Sequence, residues 1–231
     1  MTSARDFILV AGLWLTGDVW GPVAAELTRL GHRPHVLALP GADDGATAAT
    51  LEDQLDTVLA AVDAAEQPVV VGHSAAATLA WLAADRRPDA VARVVMVGGF
   101  PSADGDRYAD FFPVTGDVMP FPGWEPFEGP DADDLDETAR RRFAEAAVPV
   151  PAAVAQATVR LTDERRYAVP LTLVCPEFSP DDARAWVAAG DLPELERTAD
   201  VSFVDIESGH WPMLTRPVEL AGLLGALPAD G

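Results

Sequence analysis

The chain has 231 residues, of which 49% are hydrophobic, and it carries a formal net charge of −21. This length and apolar content predict a single folded domain with a large core, and they exclude an intrinsically disordered chain. The strong negative charge argues against nucleic acids and anionic membrane surfaces as partners, because both would repel it.

Short apolar runs alternate with helical patterns, an order typical of an α/β fold with a mostly parallel sheet of about six strands and helices on both faces. In chain order, the predicted strands are Phe7–Ala11, His35–Leu39, Val69–Val71, Val91–Val97, Leu171–Cys175 and Val201–Ile206. The predicted helices are Val19–Leu30, Leu51–Ala65, Ala75–Ala84, Pro180–Ala189 and Pro217–Leu224.

Residues 101–169 break this alternation, since no strand pattern occurs between Pro101 and Pro170. The stretch opens rich in Pro, Gly and aromatic residues, passes through the acidic run Asp131–Glu137, and turns helical from Thr138 onward. The aromatic residues are Phe111, Phe112, Phe121, Trp124 and Phe127. A long connection without a role is unusual in a compact domain. We therefore predict a cap inserted after the fourth strand, with a flexible insertion as the alternative.

Ser74 lies in the segment Val69–Ala77, where a β-branched run passes through Gly-His-Ser into an alanine-rich helical stretch. A strand, a sharp turn and a helix around G-x-S-x-G are typical of a nucleophile elbow, with Ala76 here in the last glycine position. Such a turn lifts the serine hydroxyl clear of the sheet and aims a helix N-terminus at it. We predict that Ser74 is a nucleophile; the alternative is a serine that caps the helix.

His210 is the candidate base, because it follows Ser208 and Gly209 just past the last predicted strand. His32 and His35 flank an early strand, and His73 belongs to the serine turn, where we expect it to pack beneath the turn. The alternative for His210 is a loop histidine that is satisfied by its neighbours.

Two backbone N–H groups are predicted to stabilise an oxyanion. One belongs to Ala75, directly after the candidate nucleophile, and the other to Leu13, in the loop after the first strand. Gly12 would permit the close backbone approach that such donors require.

The third member of a catalytic triad has a weaker signal. Glu177 is the acid nearest the expected place after Leu171–Cys175, whereas Ser179 occupies the slot of the expected aspartate. Asp181 and Asp182 follow Pro180 and are typical of acids in the first turn of a helix. Three alternatives stay open: Glu177 orients His210, the site is a Ser–His dyad, or the chain has departed from hydrolysis.

Taken together, these residues resemble the α/β-hydrolase superfamily, and within it the plant methylesterase and hydroxynitrile lyase family with its bacterial esterase relatives. The resemblance covers nearly the whole chain and depends on four segments: residues 7–12, residues 30–41, the serine turn, and residues 209–214 with Pro217. It implies Ser74 as nucleophile, His210 as base, and the amides of Leu13 and Ala75 as oxyanion donors.

The chain departs from that family at several positions. Ala11-Gly12 replaces the usual His-Gly, the expected acid is absent from its motif, and the cap is shorter. The lyase branch has a lysine after its histidine and a threonine at the position of Gly12. Here Trp211 follows His210 and the chain contains no lysine, which disfavours cyanohydrin cleavage.

These observations predict a serine hydrolase that acts on a small or medium apolar ester or lactone. The alternatives are a tailoring enzyme of the same fold, such as a cyclase or lyase, and a non-catalytic ligand-binding protein. No metal or other cofactor is implied, because the four histidines and the single Cys175 show no ligand spacing.

Location is also predicted from the sequence. A lone cysteine excludes an internal disulfide and favours a reducing compartment. No basic-then-apolar leader opens the chain and no apolar run reaches membrane-spanning length. We therefore expect a soluble, cytoplasmic protein; its oligomeric state is left open.

Overall fold

A computed structural model describes residues 4–228 and contains a six-stranded sheet with helices on both faces. The strands are β1 (Asp6–Val10), β2 (Arg33–Val36), β3 (Val69–His73), β4 (Arg93–Val97), β5 (Val118–Met119), β6 (Val150–Pro151), β7 (Leu171–Cys175) and β8 (Val201–Asp205). The helices are α1 (Gly21–Arg29), α2 (Leu51–Ala64), α3 (Ala76–Arg86), α4 (Glu137–Ala146), α5 (Ala152–Ala155), α6 (Pro180–Ala189), α7 (Pro193–Arg197), α8 (Pro212–Thr215) and α9 (Pro217–Gly225).

The main sheet has the strand order β2-β1-β3-β4-β7-β8, and every neighbouring pair in it is parallel. Strands β1, β3, β4 and β7 are buried along their whole length, which explains why they read as continuous apolar runs. The predicted fold class is therefore confirmed.

Alternate residues of β1 enter two separate hydrophobic cores. Ile8 and Val10 pack on the face covered by α2 and α3, whereas Phe7 and Leu9 pack on the face covered by α1 and α9. This alternation follows from the two-residue period of a strand. Both faces of the sheet are apolar as a result, and helices cover each of them. The carboxyl ends of the parallel strands all lie at one edge of the sheet.

The second strand begins two residues and ends three residues earlier than predicted, at Arg33–Val36 in place of His35–Leu39. It is an edge strand, where Pro34 is tolerated because a missing N–H costs no ladder bond on the open side. Asp6 holds this register by accepting hydrogen bonds from Arg33 at 2.9 and 2.6 Å and by contacting His35 at 2.8 Å. The chain leaves the sheet after Leu37, whose N–H donates to Leu9.

Residues 101–169 contain a small antiparallel pair, β5 with β6, in which Val118 faces Pro151 and Met119 faces Val150. The prediction that no strand occurs in this stretch is therefore wrong for four residues. Strands of two residues are too short to show an alternation of apolar and polar side chains. Proline is also rare in strands, so Pro151 gives no strand signal for β6. The predicted helical material corresponds to α4, which Asp136 caps by accepting from the Ala139 N–H at 2.7 Å.

Within residues 4–228, no helix is both long and apolar enough to cross a membrane.

Candidate active site

Ser74 occupies a strained turn between β3 and α3. Its φ of 54° lies in the left-handed region, which non-glycine residues seldom adopt. Two glycines make room for the turn: a Cβ on Gly72 would lie 2.2 Å from the Ala76 carbonyl oxygen, and one on Gly99 would lie 2.3 Å from that of Ser74. Ala75 is the residue at the N-cap of α3 and no side chain caps that helix, so Ser74 does not serve as its cap.

The Ser74 hydroxyl contacts the ring of His210, with 2.9 Å between Oγ and Nε2. His210 lies in the loop between β8 and α8, so the carboxyl ends of β3 and β8 bring the two residues together across the sheet. The side chain of His210 is 14% exposed. The structure therefore places the predicted base within hydrogen-bonding distance of the predicted nucleophile.

Glu177 contacts the other ring nitrogen of His210, with 2.7 Å between Oε1 and Nδ1. The residue follows β7 directly and its side chain is also 14% exposed. Among the described residues, no donor reaches its second oxygen, Oε2, which is buried. Ser74, His210 and Glu177 thus form one chain of hydrogen bonds, in the order that acyl transfer requires of nucleophile, base and acid.

The other candidate acids of this loop have different contacts. Ser179 caps α6 by accepting from the Asp182 N–H, and the Asp182 carboxylate accepts in return from the Ser179 N–H and hydroxyl. Asp181 is exposed and pairs with Arg184 at 2.8 Å. Both acids lie in the first turn of α6, as the sequence indicated, and their contacts are local to that helix.

His73 packs beneath the serine turn and is 1% exposed, as expected. Its Nε2 lies 2.8 Å from the backbone carbonyl oxygen of His210, so Nε2 carries the proton and donates. Burial, and secondarily the neighbouring His210, hold the pKa of His73 well below its usual value. A neutral His73 therefore contacts the backbone of His210 without placing a charge beside its ring.

Leu13, in the loop after β1, lines a cavity together with Ser74. Leu13 is buried, and a Cβ on Gly12 would lie 2.7 Å from His73 Nδ1 and 3.1 Å from Ser74 Cβ, so only glycine permits this approach. Within residues 4–228, neither the Leu13 N–H nor the Ala75 N–H donates to a protein acceptor. The role of these two N–H groups as oxyanion donors stays a prediction.

Trp14, the next residue, has a φ of 62° and joins this loop to residues 101–169. Its carbonyl oxygen accepts from the Val148 N–H at 2.9 Å, and its indole N–H donates to the Met119 carbonyl oxygen at 3.3 Å. The conformation of the loop is therefore held by contacts from outside the main sheet.

A cavity of about 230 Å³ opens at Ser74 and is mostly apolar. It is lined by Leu13, Trp14, His73, Ser74, Phe111, Phe112, Phe127, His210 and Trp211. Phe111 is 64% exposed and stands at the surface, whereas the Trp14 ring packs against Phe112 and Phe127. A larger groove of about 620 Å³ lies beside Trp14 and α4 and contains neither Ser74 nor His210.

Residues 131–134 touch the site and were missed by sequence reasoning, which treated this acidic run only as part of the insertion. The Asp131 carbonyl oxygen accepts from the His210 N–H, and the Asp134 carboxylate accepts from the Gly209 N–H. No periodicity or motif signals a contact between such distant parts of a chain. Across the described part of the chain, no three His, Cys, Asp or Glu side chains are grouped so as to hold a metal ion.

A parallel sheet with a serine turn after its third strand and a histidine loop after its last defines a hydrolase class of α/β protein. The chain belongs to the alpha/beta hydrolase family, whose model matches residues 7–223. The resemblance to the α/β-hydrolase superfamily that the sequence predicted is thereby confirmed.

Similar proteins include Esterase PIR7B of Oryza sativa subsp. japonica, which is 38% identical over 106 residues. That match covers 42% of this chain and 39% of the rice protein. An extracellular alpha/beta-hydrolase from a Paenibacillus species has a similar structure, with a TM-score of 0.79, 20% identity, and coverage of 98% of this chain and all of the other. The methylesterase MES16 from Arabidopsis superposes with a TM-score of 0.75 at 14% identity, covering 96% of this chain and 97% of its own. The two structures support the fold.

Proposed function

We propose that this protein is a serine hydrolase that cleaves small or medium apolar carboxylic esters or lactones. The observation that carries the proposal is the hydrogen-bonded chain from Ser74 to His210 to Glu177, at 2.9 and 2.7 Å, beside an apolar cavity. The partial match to a rice esterase supports the same reaction class.

In this mechanism, Ser74 Oγ attacks the carbonyl carbon of the ester while His210 Nε2 takes the hydroxyl proton. Glu177 stabilises the imidazolium that forms and keeps its Nδ1–H in place. The tetrahedral oxyanion accepts hydrogen bonds from the Leu13 and Ala75 N–H groups, and one such donor is worth about 2.7–4 kcal/mol elsewhere. His210 then protonates the leaving alkoxide, and a water molecule that it activates releases the acid from Ser74.

The cavity argues for the substrate class. Its volume of about 230 Å³ lies below the range of roughly 300–1,000 Å³ that is typical of drug-sized ligand sites. Aromatic side chains from residues 101–169 form much of its wall, so we assign that segment the role of the cap over the site. An ester with a short or medium apolar acyl chain matches this volume and lining.

The test is hydrolysis of p-nitrophenyl butyrate by the full chain and by Ser74→Ala. We expect the variant to lose at least about 10³-fold in kcat, because only binding and the oxyanion amides remain. A fluorophosphonate probe should label the unaltered protein and not the variant. Turnover that persists in Ser74→Ala would favour a cyclase or lyase of the same fold, and a Ser74 that fails to label would favour a ligand-binding protein.

A further inference from the structure

A short acidic turn in residues 101–169 forms hydrogen bonds with the loop that carries His210. The Asp131 carbonyl oxygen accepts from the His210 N–H at 2.8 Å, and Asp134 Oδ2 accepts from the Gly209 N–H at 2.9 Å. Two successive N–H groups of the histidine loop therefore donate hydrogen bonds to two residues of one turn. We call residues 129–135 the acidic turn.

The contact is too close to admit a side chain on the histidine loop. A Cβ on Gly209 would lie 2.3 Å from the Asp131 carbonyl oxygen and 2.4 Å from Asp134 Oδ1. Both oxygens of the Asp134 carboxylate thus face Gly209, and Oδ1 is buried with no partner among the described residues. A buried carboxylate oxygen is costly to leave unpaired, so the packing around Asp134 holds it there against that cost.

The acidic turn is itself firmly held. Ala132 and Leu135 are buried in the core that also contains Trp211. The N–H groups of Ala132 and Asp133 both donate to the Gly129 carbonyl oxygen at 3.0 Å, which closes the turn. The turn therefore gives Gly209 and His210 hydrogen-bond acceptors in fixed positions, and these restrict the movement of the His210 ring.

The serine turn holds the opposite side of the same residue. His73 Nε2 donates to the His210 carbonyl oxygen at 2.8 Å, while Asp131 accepts from the His210 N–H. The backbone of His210 is thus held on one side by the main domain and on the other by the acidic turn. The position of its ring relative to Ser74 depends on both.

We propose that Asp134 is a positioning residue for His210, acting through the Gly209 N–H; this inference rests on the proposed function. The carboxylate fixes the histidine loop, and through it the distance from His210 Nε2 to Ser74 Oγ. A base displaced by about 1 Å costs on the order of 10²-fold in rate, even when the substituted residue lies away from the reacting atoms.

Three variants of the full chain test this inference: Asp134→Ala, Asp134→Asn and the neighbouring control Asp133→Ala. Asp133 is exposed, so its substitution changes the local charge without removing the contact to Gly209. With p-nitrophenyl butyrate, we expect Asp134→Ala to lose about 10²-fold in kcat with KM within about twofold. Asp134→Asn keeps an oxygen that accepts from Gly209 and should retain kcat within about threefold, as should the control.

Three results would overturn the positioning role. The first is an unchanged kcat in Asp134→Ala, and the second is a rise in KM alone in that variant. The third is an equal loss of kcat in the alanine and asparagine variants, which would mean that the charge of Asp134 matters and its hydrogen bond to Gly209 does not. Thermal unfolding of each variant separates a loss of folded protein from a loss of kcat. Activity in Ser74→Ala measured alongside would reject the proposed function itself, whereas an inactive Ser74→Ala with a fully active Asp134→Ala rejects only the role of Asp134.

Discussion

Gly98 lies against the carboxylate of Glu177, at the end of the strand next to β7. A Cβ on Gly98 would lie 3.3 Å from Glu177 Oε2 and also 3.3 Å from His210 Nδ1, and Gly98 has a φ of 59°. This strand is followed by Gly98 and Gly99, which carry no side chain, and the space beside Gly98 holds the carboxylate of Glu177 from the neighbouring loop.

Gly98→Ala should therefore impair catalysis. An alanine at this positive φ strains the backbone by about 1–3 kcal/mol. Its methyl group would also lie 3.1 Å from Pro176 Cγ and 3.3 Å from both Glu177 Oε2 and His210 Nδ1, so these neighbours would have to shift. We expect kcat for p-nitrophenyl butyrate to fall by about tenfold or more with a smaller change in KM. Gly116→Ala is the matched control, because Gly116 has a φ of 61° and nothing within 4 Å of a Cβ. Equal kcat values for the two variants would contradict the argument.

Glu177→Gln should lower kcat strongly, because the amide accepts one bond but cannot stabilise an imidazolium by charge. The loss for an equivalent substitution in a triad is about 10⁴-fold. Glu177→Asp keeps the charge but shortens the side chain by one methylene, so the 2.7 Å contact to Nδ1 is lost unless the loop relaxes. Its kcat should therefore lie between those of the unaltered protein and Glu177→Gln. Asp181→Asn, in the first turn of the following helix α6, is the control. Wild-type activity in Glu177→Gln would leave a Ser–His dyad.

Phe111→Ala should change substrate preference more than turnover. The ring stands at the mouth of the cavity and is 64% exposed, so it has apolar surface to offer an acyl chain. We expect KM for p-nitrophenyl octanoate to rise by about fivefold or more, with KM for p-nitrophenyl acetate unchanged. Val218→Ala serves as control, because Val218 is equally exposed but lies on α9. A parallel change in KM for both esters would show that Phe111 does not contact the chain.

Asp6→Asn should remove stability at neutral pH and not in strong acid. The hydrogen bond from Arg33, the largest influence, lowers the pKa of Asp6 to about 2. Since its pKa is lower in the folded than in the unfolded chain, Asp6 adds stability above about pH 4 and loses it as the pH falls towards 2. Arg33 is half exposed, so solvent screening limits the effect to about 1 kcal/mol.

Urea unfolding at pH 7 and near pH 2 measures this difference between the unaltered protein and the variant. The free energies of unfolding should differ at pH 7 and converge in acid. A constant difference at both values would mean that Asp6 stabilises β2 by packing in place of charge. Glu52→Gln, an exposed residue in the first turn of α2, is the charge-matched control.

The strands buried on both faces were predictable because short, continuous apolar runs are typical of buried parallel strands. The edge strand was predicted two to three residues late, since its register depends on Asp6, which binds Arg33 and His35 from the neighbouring strand. Ser74, His210 and Glu177 could be selected by local context and chain order, and the structure brings their side chains together. Their chemical roles stay predictions.

The contacts of the acidic turn could not be predicted in the same way. Asp134 and Gly209 are 75 positions apart, and neither residue lies in a motif that mentions the other. Gly209 belongs to one of the segments that carry the family resemblance, but nothing in that segment signals a contact with Asp134. The requirement for a glycine there comes from Asp131 and Asp134, whose oxygens would lie 2.3 and 2.4 Å from a Cβ, and tertiary packing alone creates that requirement.

Trp14 has a consequence for how such an enzyme would change over evolutionary time. One of its hydrogen bonds ends on Val148 and the other on Met119, both in the segment whose aromatic side chains line the cavity at Ser74. Leu13, its neighbour, is one of the two residues whose N–H groups we predict to bind the oxyanion. Replacement of that segment by a different one, the simplest route to a new substrate range, would therefore also disturb the Leu13 amide. Under the proposed function, substrate selectivity and catalytic rate would therefore depend on the same segment, and a transplanted cap would need matching partners for Trp14.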